Sequence, residues 1–253
     1  VTSKVSLGAL TGANTFWNPG LLAKKVTTLD HLSGGRAICG IGAGWFELEH
    51  RAFGIEFGSG WGDRLGWLNE SAGVVRRLMD GETVTSAEGD SYSFDGAYLR
   101  PLPVQKRLPI MIGGGGEQKT LRTVARYADM WDWVALEDVD RMRAKHSVFE
   151  QRCEEIDRDP AEIERTAHLA PVIRDTADEA ASFFRSQIEA NRMDDSVMNS
   201  PDVYLTSPER LTELMAEWSD IGVSTFILQI AAPFDEETAT RIATDIRPLL
   251  NTA

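Results

Sequence analysis

The chain has 253 residues, 42% of them hydrophobic and 26% charged, and 26 basic against 39 acidic side chains leave a net charge of −13. That is the composition of an ordinary globular chain long enough to bury a full core, at a length that suits one α/β barrel or two smaller domains. The charge counts against nucleic acid as a partner, the two cysteines Cys39 and Cys153 against a disulfide scaffold, and the lack of an apolar run of roughly 18 to 20 residues against a membrane span; with no apolar leader after Val1, a cytoplasmic enzyme is expected.

The run Val5-Ser-Leu-Gly-Ala-Leu10 reads as a strand. Asn18 and Pro19 supply an N-cap and a first-turn proline for a helix to about His31, with Leu22, Val26 and Leu29 on one face and Ser33-Gly34-Gly35 as its stop. Ala37 to Ile41 is the second strand and opens into Gly42-Ala-Gly-Trp45. A short acidic helix covers Glu47 to Ala52, a glycine-rich loop spans Gly54 to Gly62, and Asp63 caps a helix through Met79. Residues 82–108 form an excursion with a small hairpin, closed by Pro101 and Pro103.

Pro109 to Ile112 is the third strand, followed by four glycines and a helix from about Lys119 to Tyr127. Met130 to Val134 is the fourth, with a helix from about Val139 to Ile156 after it. Thr166 to Ile173 is the fifth, then a helix from Asp178 to Ala190 and an irregular stretch over 191–206. Ser207-Pro208 starts a helix to about Ile221, Thr225 to Ile230 is the sixth strand, and a last helix runs from Glu236 to about Leu250. Six βα units in series imply a parallel sheet covered by helices, as a doubly wound sheet or as a (β/α)8 barrel, within one domain over 1–253.

Gly113-Gly114-Gly115-Gly116 lies between a strand and a helix, where glycine N–H groups and a helix N-terminus favour an anion, most often phosphate; the alternative is a plain tight turn. A chain at −13 draws no anion by its overall field and needs such a local site. Gly40-Ile-Gly-Ala-Gly44 lacks the spacing of a dinucleotide fingerprint. Trp45 and Phe46 after it are either an aromatic wall or core packing. Trp133 is either a substrate wall at a strand end or packing under a helix, and His168, on a strand, is a further substrate-side candidate. Glu47, Glu49 and His50 read as a solvated helix face, His146 as a surface residue and Cys39 as a small buried one. No pair of histidines has metal spacing, and neither a nucleophile elbow nor a Walker lysine motif occurs.

These residues also carry a resemblance. Val5 to Gly12, Asn18-Pro19, Leu29-Asp-His-Leu-Ser-Gly-Gly-Arg36, Gly40-Ile-Gly-Ala-Gly-Trp-Phe-Glu-Leu-Glu-His50, Arg100-Pro-Leu-Pro-Val-Gln105 and Pro109-Ile-Met-Ile-Gly-Gly-Gly-Gly-Glu117 resemble the luciferase-like monooxygenase superfamily, most of all its branch that uses the deazaflavin coenzyme F420. The resemblance implies a (β/α)8 TIM barrel whose first two βα units are missing here, leaving six strands and exposed edges that a fuller chain or a partner would close. It implies a flavin or deazaflavin at the barrel mouth, hydride transfer to or from a small organic substrate, and a homodimer. Ala9, Leu10 and Thr11 would match a strand end that is bulged against the ring, often with a non-proline cis peptide. Gly42, Gly44, Trp45 and Glu47 would flank the ring, and Gly113 to Gly116 would cradle the cofactor phosphate. No residue matches the histidine to which several members assign proton transfer, so the catalytic residue stays unassigned. An FMN-dependent monooxygenase and a non-catalytic barrel that binds a ligand or partner remain as alternatives.

Overall fold

The computed structural model describes residues 2–136, 138–201, 203–230 and 232–250. The chain divides into two compact units, one of residues 1–132 and 148–163, the other of 133–147 and 164–253.

In the first unit the strand read at Val5 is in two pieces, β1 (Leu7–Gly8) and β2 (Gly12–Ala13). Both pair in parallel with β3 (Ala37–Gly42), which pairs with β4 (Ile110–Gly113), and β4 with β5 (Met130–Val134). Helix α1 (Pro19–Ser33) starts where the sequence placed it, with Asn18 Oδ1 accepting from the N–H of Gly20 at 2.9 Å and of Leu21 at 3.3 Å, and stops at Gly34 with φ 69°. Two helices follow, α2 (Glu47–Ala52) and α3 (Trp61–Met79). Asp63 is not the cap of α3: it lies in the first turn and accepts from the N–H and the hydroxyl of Ser59, both at 2.7 Å, one residue before the cap position Gly60.

The excursion holds its hairpin, with Val84 bridged antiparallel to Ala97. It is tied to α1 by the fully buried Asp30, whose carboxylate accepts from the N–H of Val104 at 2.7 Å and of Gln105 at 3.0 Å, and from Gln105 Nε2 at 2.7 Å. Helix α4 (Thr120–Tyr127) follows β4. Trp131 on β5 is buried, stacks on Phe149 at 4.9 Å and donates Nε1 to the carbonyl of Gly114 at 2.9 Å.

The second unit is built around β6 (Glu164–Ile173), which pairs in parallel with β8 (Thr225–Leu228) through its first half and with β7 (Val203–Thr206) through its second. β7 lies in the stretch read as irregular; four residues between polar neighbours are too short to show a period of two. Its helices include α5 (Val139–Glu154) up to Ser147, α6 (Ala177–Asn191), opened by a Thr176–Glu179 capping box, α7 (Pro208–Asp220) and α8 (Glu236–Arg241). The last helix is not continuous: a π turn at Ile242–Ile246 separates α8 from α9 (Arg247–Leu250), next to Pro248, which has no N–H to give Thr244. Trp218 is the centre of the core, edge-on to Tyr204 at 5.7 Å and bonded through Nε1 to the carbonyl of Leu136 at 2.8 Å. Arg174, just past β6, is buried with Asp235, which it bonds twice at 3.1 Å. Burial pushes the Asp235 carboxyl up, but the Thr238 hydroxyl and N–H and the Arg174 guanidinium together hold it below its ordinary value.

Candidate functional site

Parallel strands expose their carboxyl ends on one side of a sheet, and ligands of such sheets bind there. In the first unit those ends are Ala13, Gly42 and Gly113, which brings together most of the residues singled out from the sequence.

The first strand is bulged. Gly8 pairs with Ile38 and Gly12 with Ile41, so four steps on one strand face three on the other, and Ala9 to Thr11 hold the extra residue. Gly40 makes room for it: a Cβ there would sit 1.8 Å from the carbonyl oxygen of Ala9. The bulge needs no cis peptide, since the cis bonds among the described residues precede Pro101 and Pro233. Ala9 and Leu10 are exposed and Thr11 half-buried. Thr11 Oγ1 lies between Gly42 and Gly113, 2.8 Å from where a Cβ on either would stand. Those two glycines are thus required by a side chain of the protein itself.

Gly42 leads into Gly44, at φ 80°, and Trp45. Trp45 is 76% exposed and Phe46 44%, with ring centroids 5.2 Å apart, so neither is core packing. Glu47 is exposed. His50 is not on a solvated face: it is buried, with Nε2 2.6 Å from Thr15 Oγ1 and Nδ1 2.8 Å from the carbonyl oxygen of Phe46. A carbonyl only accepts, so Nδ1 carries a proton, and Nε2 shares the second hydrogen bond with the Thr15 hydroxyl.

After β4, Gly114 turns at φ 118° and spends its N–H on the carbonyl of Asp132 at 2.9 Å. The N–H groups of Gly115 and Gly116 take no partner among the described residues. Helix α4 begins at Thr120, after a turn over 117–119, and has no side-chain cap. Thr120 Oγ1 stands 2.7 Å from where a Cβ on Gly116 would be, and Lys119 Nζ bonds the carbonyl of Gly62 at 3.3 Å. Free N–H groups, an open helix N-terminus, a hydroxyl and an ammonium make an anion cradle. A phosphate-bearing group with a planar ring fits these residues: the cradle for its charge, the exposed Trp45 and the bulge for its ring.

The sequence reading missed His50, Thr15 and Arg64. The one usable signal was the spacing of Phe46 and His50, four apart on a helix and so on one face. Trp133 and His168 belong to the second unit. Trp133 packs against that unit's core, with Lys145 Nζ 5.5 Å over its ring. His168 is half-buried on β6, its carbonyl accepting from Ala135 at 2.9 Å. His146 is buried, its Nδ1 2.9 Å from the carbonyl oxygen of Ile221. Among the described residues no group of His, Cys, Asp and Glu is able to hold a metal ion, and no helix is long and apolar enough to cross a membrane.

The class so defined is a parallel α/β protein with an anion cradle and an exposed aromatic at its strand ends. The family model described as luciferase-like monooxygenase matches residues 1–228, and the chain belongs to that family. It is 30% identical to an FMNH2-dependent dimethylsulfone monooxygenase of Pseudomonas putida over 68% of this chain and 50% of that one. It is 26% identical to an F420-dependent glucose-6-phosphate dehydrogenase of Kineococcus radiotolerans over 98% and 79%. The chain spans about half the length of the first curated relatives it matches, 45%, 50% and 49% of three of them. Among solved structures, its fold matches a coenzyme F420-dependent tetrahydromethanopterin reductase from Methanopyrus kandleri with a TM-score of 0.75 at 19% identity, covering 98% of this chain and 84% of that one. It matches a monooxygenase from Streptomyces bottropensis with a TM-score of 0.78 at 20% identity, covering 99% and 79%. Relatives of named activity include F420-dependent oxidoreductases and FMNH2-dependent monooxygenases.

Proposed function

We propose that this chain carries the coenzyme face of an oxidoreductase that moves a hydride between coenzyme F420 and a small organic substrate. The observation that carries this reading is the anion cradle: the free N–H groups of Gly115 and Gly116, in the loop between the end of β4 and the uncapped start of α4. The relative in Kineococcus radiotolerans, matched along 98% of this chain, supports F420 as the coenzyme.

In this reading Gly115, Gly116 and Thr120 hold the phosphate, and Lys119 offsets part of its charge. A helix N-terminus contributes about 0.3–1 kcal/mol to such an anion, and hydrogen bonds to charged groups about 1.5–3 kcal/mol each. Trp45 and the Ala9–Thr11 bulge form walls for the ring and keep water from its faces. When bound, the deazaflavin supplies or accepts the hydride; the protein orients it and dries the site. The Pseudomonas putida relative favours a second reading, FMN and oxygen chemistry, on the same cradle.

Titration of the purified chain with F420 and with FMN, followed by absorbance and fluorescence, tests both. The expected result is saturable F420 binding that Gly116→Asp weakens at least tenfold, since its carboxylate faces the phosphate. Binding of FMN alone moves the assignment to the second reading. Binding of neither ring up to about 1 mM, where association is worth only about 4 kcal/mol, overturns the proposal.

A further inference from the structure

Beside the Gly44–Trp45 segment lies a continuous chain of ring and guanidinium contacts that the proposed function does not use. Phe16 packs on His50 at 4.7 Å, His50 on Phe57 at 4.6 Å, Phe57 under the Arg64 guanidinium at 3.7 Å, and Arg64 under Trp61 at 4.6 Å. Arg64 is 3% exposed and donates Nε to the carbonyl of Gly44 at 3.1 Å and Nη1 to that of Phe57 at 2.9 Å. The other buried arginines, Arg76, Arg152 and Arg174, are ion-paired to Asp129, Glu155 and Asp235. Arg64 forms no ion pair among the described residues; its partners are two carbonyls and two aromatic faces. A buried guanidinium with no ion pair depends on these directional partners to offset its desolvation, so its place and that of the Gly44 carbonyl are tied to each other. Gly44 is held from the other side as well. A Cβ on it would meet Thr15 Oγ1 at 3.1 Å and His50 Cε1 at 3.3 Å.

We propose that His50 and Arg64 are positioning residues: with Thr15 they clamp Gly44 from the side and by its carbonyl, and so set where the exposed Trp45 presents its ring to a planar ligand. This rests on the reading of Trp45 as a ring wall. His50 acts through its tautomer. With Nδ1–H fixed on the carbonyl of Phe46, Nε2 faces Thr15 as an acceptor and the hydroxyl has one direction to point.

The test uses Thr15→Val, Thr15→Ser and Arg64→Lys in the full chain. Incorporated 5-fluorotryptophan gives the ligand-free protein up to seven 19F signals, one for each tryptophan, with Trp45 assigned by its loss in Trp45→Phe. The Trp45 signal should shift and broaden in Thr15→Val and Arg64→Lys and return in Thr15→Ser. 15N spectra of the histidine rings, with His50 assigned by its loss in His50→Gln, should show that ring protonated at Nδ1 and its Nε2 shift altered in Thr15→Val alone. If the wild type binds a ring, Thr15→Val and Arg64→Lys should weaken it about tenfold to a hundredfold, as misplacement does, and Thr15→Ser should restore it. An unmoved Trp45 signal in both variants overturns the clamp, as does a His50 ring protonated at Nε2. Unchanged ring binding in both variants of a wild type that binds also overturns it. A wild type that binds no ring overturns the coenzyme reading instead, while the 19F signals still decide the clamp.

Discussion

Thr11 between Gly42 and Gly113 allows a prediction with a worked magnitude. In Gly113→Ala the new methyl meets Thr11 Oγ1 at 2.8 Å, Thr11 Cγ2 at 3.1 Å and Thr11 Cβ at 3.5 Å. Gly113 has no positive φ, so its backbone accepts alanine, and the unfolded chain loses freedom worth about 0.4–1 kcal/mol in favour of folding. Overpacking costs about 1–3 kcal/mol. The net expectation is a destabilisation of roughly 0.5–2 kcal/mol in urea unfolding, or about 1–8 °C at the thermal midpoint of a chain this long. Thr11→Ala removes both close atoms and leaves only the contact at 3.5 Å, which is ordinary packing. In that background Gly113→Ala should be neutral or slightly stabilising, for a coupling of about 1–3 kcal/mol between the two sites. The four proteins are compared by urea unfolding followed by circular dichroism. An equal cost of Gly113→Ala with and without Thr11 would refute the reasoning and leave the glycine to be explained by its ligand alone.

Three further outcomes follow from the structure. Gly40→Ala puts a methyl 1.8 Å from the carbonyl oxygen of Ala9, where the obstacle is main chain and has no rotamer to yield; it should cost more than about 3 kcal/mol, and a melting point near wild type would argue against the bulge. Asp30→Ala strands the N–H groups of Val104 and Gln105 and should cost about 2–4 kcal/mol, with limited proteolysis turning to residues 82–108; unchanged protection there would count against the tie. Burial pushes the Cys39 thiol from 9.0 up to about 12, against a smaller lowering by Arg76. The stability it contributes is therefore whole below pH 9.0 and lost as pH rises toward 12, at no more than about 1.4 kcal/mol per pH unit. Between about pH 8 and pH 10.5 the wild type should lose more stability than Cys39→Ala, and equal losses would show the thiol to be no part of the alkaline instability.

How much of this was legible in the sequence follows from how local each cause is. Asn18-Pro19 with Gly34 and Ser207 with Pro208 act within a few residues, and the helices they bound stand where they were read; the helix read at Asp178 to Ala190 stands too, though the Thr176–Glu179 box that opens it was not read. The bulged strand and the glycine loops were legible as places where backbone must turn. Their packing was not: that Gly42 and Gly113 receive Thr11, and Gly40 the carbonyl of Ala9, depends on register between strands about 30 to 100 residues apart. His50 was misread for the same reason. Its neighbours Glu47 and Glu49 are exposed, and the rings that bury it, Phe16 and Phe57, come from a turn before α1 and a loop after α2. Arg64, in the second turn of a helix, looks in sequence like any solvated cation; only the carbonyls of Gly44 and Phe57 reveal it.

The net charge of −13 and the cradle together make a prediction about salt. At low salt, about 10 mM, the screening length is roughly 30 Å, and an approaching anion feels the repulsion of the whole chain; at about 150 mM it is roughly 8 Å and the anion feels mainly what lies beside it. What lies beside it at the cradle is the N–H groups of Gly115 and Gly116, the start of α4 and Lys119. These contacts are short-ranged and lose little to screening, while the long-range repulsion is removed. The association rate of an anionic coenzyme, measured by stopped-flow fluorescence, should therefore rise with salt over this range, with affinity unchanged or modestly improved. A site made by surface cations behaves oppositely, losing affinity steeply as counterions compete. A fall in both rate and affinity between about 10 and 150 mM salt would remove the cradle from the account and put exposed lysines and arginines in its place.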